Sequence, residues 1–97
     1  MHTPAFSVVV APGRGTDRAR IGCAVSRRVG NAVVRSRVRR LIRESFRRLA
    51  STLGNVDIVV IAKPTAAGLA DRGLAAVIEM LVPAMENAAR RAAGSRP

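Results

Sequence analysis

The sequence predicts one small α+β domain over residues 1–97, a short sheet packed with helices. Two observations lead there. Runs rich in β-branched residues, at 6–11, 20–26 and 56–63, alternate with segments whose apolar residues recur every three or four positions. A chain of 97 residues can also bury one core and is too short for two ordinary ones, and it shows no internal repeat or interdomain linker.

FSVVVA (6–11) and RIGCAVS (20–26) are separated by PGRGTDRA, whose proline, glycines and aspartate form turns, so the two strands are expected to pair as a hairpin. Alternation puts Phe6, Val8 and Val10 on one face with Ile21, Cys23 and Val25, and leaves Ser7, Val9, Ala11, Gly22, Ala24 and Ser26 on a shallower face. Gly30 breaks the strand. Asn31 is suited to cap a helix that runs to about Leu53, where Gly54 stops it. VDIVVIAK (56–63) is almost continuously apolar and reads as a strand buried on both faces. KPTAAGLADRG reads as a loop, after which Asp71 caps a last helix carrying Leu74, Val77, Ile78, Leu81, Val82 and Met85. Pro83 is expected to kink or interrupt that helix, and residues 90–97 to form a frayed tail.

The segment SRRVGNAVVRSRVRRLIRESFRRL (26–49) holds nine arginines and one glutamate. At 100° per residue, Val34, Val38, Leu41, Ile42, Ser45, Phe46, Leu49 and Leu53 share one arc. Arg39, Arg40, Arg43 and Arg47 lie opposite, with Arg35 and Arg37 flanking the apolar stripe. Arg35/Arg39, Arg39/Arg43 and Arg43/Arg47 are like-charge pairs four apart, and Glu44 alone offers relief, to Arg40, Arg47 and Arg48. Arg37/Arg40 and Arg40/Arg43 are further like-charge pairs three apart, and at ~0.2–0.5 kcal/mol for each of the five the repulsion amounts to about 1–2.5 kcal/mol that folding does not explain. A bound polyanion reverses its sign. The net charge of +11 fits RNA, DNA or an acidic membrane face. The preference for arginine, with Lys63 the one lysine, is attributed first to genome composition and only then to phosphate geometry.

Other classes fare poorly. With two Phe and no Tyr or Trp there is no stacking platform for base-by-base reading, and no short helix precedes the basic one as a helix-turn-helix requires. The six acidic residues are scattered, His2 stands at a start expected to be frayed, and Cys23 reads as a small core residue. These features point to no catalytic residue and no protein-bound metal. One cysteine and no membrane-length apolar run point to a soluble, cytoplasmic protein.

Through SRRVGNAVVRSRVRRLIRESFR the chain resembles the protein component of bacterial ribonuclease P, whose pattern is V-S-K/R-K/R-V-G-N-A-V followed by R-N-R-V-K/R-R-L-I/L-R-E-x-F-R. The likeness extends more weakly through FSVVVAP, VDIVVIAKP and the last helix. It implies an α/β sandwich whose strand, basic helix and next strand form a left-handed β-α-β crossover, where general handedness would give a right-handed one in ~98 % of cases. It also implies that a large RNA subunit, with Mg²⁺, hydrolyses precursor tRNA at its 5′ end while the protein binds that RNA and the 5′ leader. By residue match, Arg35, Ser36, Arg37, Arg39, Arg40 and Arg43 contact RNA, with Arg27 and Arg28 beside them, and Asn31 caps the helix. Ser7, Val9, Ala24 and Ser26 form the sheet side of the leader cleft, or else a thin face awaiting a covering helix. Ser36 replaces the family's asparagine. The likeness starts near the family's second strand, leaving out the N-terminal helix that walls the leader cleft, so leader binding is the implied role with least support. The competing readings are a small basic ribosomal or other structured-RNA-binding protein, and an architectural DNA-binding protein.

Overall fold

The computed structural model describes residues 1–13 and 18–94. Its elements are β1 (Phe6–Pro12), β2 (Arg20–Ala24), α1 (Ala32–Arg47), a 3₁₀ turn (Ala50–Thr52), β3 (Val56–Ala62), α2 (Ala66–Asp71) and α3 (Leu74–Gly94).

The strand order is β1-β3-β2. β3 lies antiparallel to β1, with Val8 opposite Val60, and parallel to β2, with Cys23 also opposite Val60. The expected hairpin between β1 and β2 therefore does not form. The most apolar strand takes the centre, where both its edges are hydrogen-bonded, and β2 reaches it through α1 because parallel neighbours need a crossover. Part of the expected hairpin loop, residues 14–17, lies outside the described residues.

α1 and α3 both pack on one side of this sheet, α3 against β1 and α1 against β2 and α3. The core there joins Phe6, Val8, Ile58 and Val60 to Val38, Leu41, Ile42 and Phe46 of α1 and to Val77, Leu81 and Met85 of α3. The opposite face is open, with Val9 55 %, Val59 42 % and Ile61 41 % exposed. That corrects the expectation that β3 is buried on both faces: its burial alternates residue by residue, as it must when helices cover one side only.

α1 begins as expected, the Asn31 Oδ1 accepting a hydrogen bond from the Val34 N–H at 3.0 Å. Gly30 allows this entry, since a Cβ there would stand 2.8 Å from the Val34 Cγ1. The helix ends at Arg47, short of Leu53. Leu49 leaves the helical region at φ −134° yet stays buried, and the chain makes a 3₁₀ turn before Gly54 takes up φ +73°.

The segment read as a loop contains α2, whose Ala66, Leu69 and Ala70 are buried. Small side chains let it sit close, and two donations tie its start to the N-terminal segment: Lys63 Nζ to the Thr3 carbonyl and Thr65 Oγ1 to the Pro4 carbonyl, both at 2.6 Å. Asp71 ends α2 and does not cap α3, whose first turn is closed by the Gly73 carbonyl accepting from Val77 N–H. α3 runs unbroken through Pro83 to Gly94. Pro83 is exposed, so the carbonyl it leaves unpaired can turn to water. The helix also occupies residues 90–94, where a frayed tail was expected, while residues 95–97 lie outside the described residues. The start is not frayed either. Val8 N–H donates to the Met1 carbonyl and Thr3 N–H to the Phe6 carbonyl, both at 2.7 Å, which sets His2 opposite Ser7.

Candidate nucleic-acid interface

The apolar stripe of α1 determines where its arginines go. Val38, Leu41, Ile42, Ser45 and Phe46 are buried, and the Ser45 hydroxyl satisfies itself by donating to the Leu41 carbonyl at 2.8 Å. With that face turned inward, Arg40, Arg43, Arg47 and Arg48 are exposed and Arg35, Arg37 and Arg39 half-buried. Arg35 to Arg47 span ~18 Å of helix axis at 1.5 Å per residue. Ser36 is exposed on the same helix. Arg27 and Arg28 are exposed in the turn between β2 and α1, so the basic surface continues off the helix towards the β2 edge of the sheet.

Among the described residues, no carboxylate pairs with Arg27, Arg28, Arg35, Arg39, Arg40 or Arg43. Glu44 pairs with Arg47 alone, at 3.2 Å, rather than with Arg40, Arg47 and Arg48 together. The Nε atoms of Arg35 and Arg37 are buried and have no acceptor among the described residues. The stems of Arg35 and Arg37 are half-buried along the protein surface, as long basic side chains bury their stems while keeping the charged ends towards water.

Arg43 and Arg39 also reach the neighbourhood of β2. Burial pushes the Cys23 thiol pKa up, while the field of these two arginines acts against it. Cys23 is half-buried on the inner face of the sheet and belongs with the packing of α1 on β2.

The proposed leader-cleft residues divide. Ser7, Val9 and Ala24 share the outer face, where Val9 pairs with Val59, and Ser7 and Ala24 both lie opposite Ile61. Ser26 does not join them on a strand. β2 ends at Ala24, and the Ser26 hydroxyl accepts the Arg28 N–H at 3.3 Å within the turn. The Ser7 hydroxyl is engaged by His2 Nδ1 at 2.8 Å. One end of the outer face is closed by a two-pronged ion pair, Arg20 Nε and Nη2 to Asp57 Oδ1 and Oδ2, each at 2.9 Å.

Sequence reasoning missed three contributors. Val59 and Ile61 supply most of the exposed apolar surface of the outer face, and their alternation with buried Ile58 and Val60 was the available signal. Asp71 pairs with Arg37 across 34 residues, which no local pattern could reveal. Among the described residues, no group of three His, Cys, Asp or Glu side chains comes together to hold a metal ion, and no helix is long and apolar enough to cross a membrane.

Comparison with known proteins fits this arrangement. The profile of the family described as Ribonuclease P matches residues 1–86. A ribonuclease P protein component from Desulfovibrio desulfuricans is 46 % identical over 96 residues, covering 97 % of this chain and 73 % of that protein. The corresponding protein of Shouchella clausii is 43 % identical over 75 residues, covering 76 % of this chain and 62 % of its own length. The chain thus spans about three-fifths to three-quarters of these relatives. The solved RNase P protein of Staphylococcus aureus superposes with a TM-score of 0.79 at 31 % identity, covering 91 % of this chain and 78 % of that one. A three-strand mixed sheet with helices on one side, a basic α1 and a matching profile over most of the sequence place this chain in the ribonuclease P protein family.

Proposed function

We propose that this chain acts as the protein subunit of ribonuclease P, binding the catalytic RNA through α1 and the 5′ leader of precursor tRNA along the outer sheet face. The observation that carries the reading is the run of arginines on α1 and in the turn before it that have no carboxylate partner among the described residues. Like charges held this close on a helix oppose one another in the free protein, and a phosphate backbone turns each repulsion into an attraction. In this reading the chain supplies positive charge and position, and no side chain takes part in bond breaking. Mg²⁺ would be held by the RNA subunit and would supply water activation there, with no residue of this chain assigned as its ligand. The protein's arginines lower the Mg²⁺ needed by screening phosphate repulsion between the RNA subunit and its substrate. The outer face offers Val9, Val59 and Ile61 as an apolar floor for a single strand, with Ser7 and Ala24 leaving room above it. Its place of work is the cytoplasm, where precursor tRNA is made.

Reconstitution tests this. The purified protein alone is expected to leave precursor tRNA uncut, and to raise cleavage by a bacterial ribonuclease P RNA at low Mg²⁺. Cleavage by the protein after removal of contaminating RNA contradicts the division of labour. Tight RNA binding with no stimulation favours a structured-RNA-binding protein outside tRNA processing.

A further inference from the structure

Within the arginine surface, Arg37 is the exception among the residues matched to the RNA-contacting motif: it already has an anionic partner. Its Nη2 donates to the Asp71 Oδ1 at the end of α2. The pair bridges α1 to the turn between α2 and α3, and Arg37, Arg40, Glu44, Asp71 and Gly73 line a shallow groove of about 560 Å³ there. Stability does not account for it. The two side chains are 40 % and 65 % exposed, and ion pairs at such sites contribute little. Asp71 also stands at the carbonyl end of its helix, where an anion is not favoured. Among the described residues it is the one carboxylate from outside α1 that pairs with this helix.

We propose that Asp71 is a specificity-determining residue of the RNA surface. The inference rests on the RNA-binding role given to α1 above. Asp71 holds the Arg37 guanidinium in one orientation and cancels its charge for a polyanion approaching at random. A loosely bound strand then gains little at Arg37, because any phosphate that comes near also meets the carboxylate. An RNA docked in register on Arg35, Arg39, Arg40 and Arg43 is held by the other arginines and presents its phosphate to the remaining Nη1 edge of Arg37. Discrimination rises because the penalty falls more heavily on binding without register.

The test uses the full chain as Asp71→Asn, Asp71→Glu, Arg37→Gln and the Arg37→Gln/Asp71→Asn pair, with thermal melts confirming that each is folded. Binding to oligo(U) and to a bacterial ribonuclease P RNA is followed by salt titration. Asp71→Asn is expected to bind oligo(U) ~2–5-fold more tightly, the range an exposed ion pair spans, with a salt slope steeper by up to ~0.7. Affinity for the ribonuclease P RNA should change less, so the ratio between the two RNAs falls. Asp71→Glu should keep the wild-type ratio, and the Asn effect should vanish when Arg37 is Gln. An equal gain on both RNAs, no gain, or a gain that persists without Arg37 overturns the proposal. If Arg39→Gln/Arg43→Gln binds both RNAs as wild type does, the fault lies with the role of α1 itself.

Discussion

Replacing Arg39 and Arg43 together with glutamine is expected to weaken RNA binding by roughly 30-fold at physiological salt, and to leave thermal stability unchanged or slightly higher. Neither residue has a carboxylate partner among the described residues, so no ion pair is lost with them. Their removal relieves the contacts Arg35/Arg39, Arg39/Arg43 and Arg43/Arg47, each worth ~0.2–0.5 kcal/mol of repulsion on an isolated helix. Arg39 is half-buried, and the glutamine stem retains part of its packing. On the RNA side, each lost phosphate contact takes ~0.9 from the salt slope, so two contacts lower the slope by about 2 and the affinity by the factor given. A salt titration and a thermal melt decide. A variant that melts earlier but binds RNA as before would show that these arginines serve the fold and not a polyanion.

Ile42→Ala is expected to cost ~2–5 kcal/mol of folding free energy, the range for a buried isoleucine or leucine truncated to alanine. Ile42 is 0 % exposed and stands where α1 meets the sheet and α3. A domain of this size has about 5–15 kcal/mol of stability in all, so the variant should unfold at far lower urea or near physiological temperature. Val33, near the start of the same helix but 78 % exposed, provides the control: Val33→Ala should stay within about 0.5 kcal/mol of wild type. A loss under about 1 kcal/mol for Ile42→Ala would mean that the inward face of α1 has been assigned wrongly.

α1 was legible because several independent signals agree on it. Asn31 is a capping residue, the apolar positions from Val38 to Phe46 hold one stripe, and the charged residues fill the rest. The strand faces were legible for the same reason, since period-two alternation assigns Phe6 and Val8 to the core without reference to any other strand. What alternation does not encode is which strand lies next to which, and so the insertion of β3 between β1 and β2 was missed. Nor does an apolar residue declare whether its face will be covered. Val59 and Ile61 look like core residues in the sequence and lie open in the structure because both long helices chose the other side. α2 was hidden by Pro64 and Gly68, which signal a loop, although its alanines pack as a short helix. At the candidate interface, the arginines could be named one by one from the motif. Their electrostatic state could not, because the partner of Arg37 arrives from a segment 34 residues away.

Ultraviolet cross-linking of the reconstituted complex, with the joined peptides identified by mass spectrometry, tests most directly where RNA sits. With ribonuclease P RNA alone, cross-links should come from residues 27–43, on the turn and α1. Precursor tRNA carrying a 5′ leader should add contacts at Ser7, Val9 and Ala24 on the outer sheet face, and mature tRNA should not. Cross-links confined to the exposed arginines of α3, Arg90 and Arg91, with α1 untouched, would contradict the account.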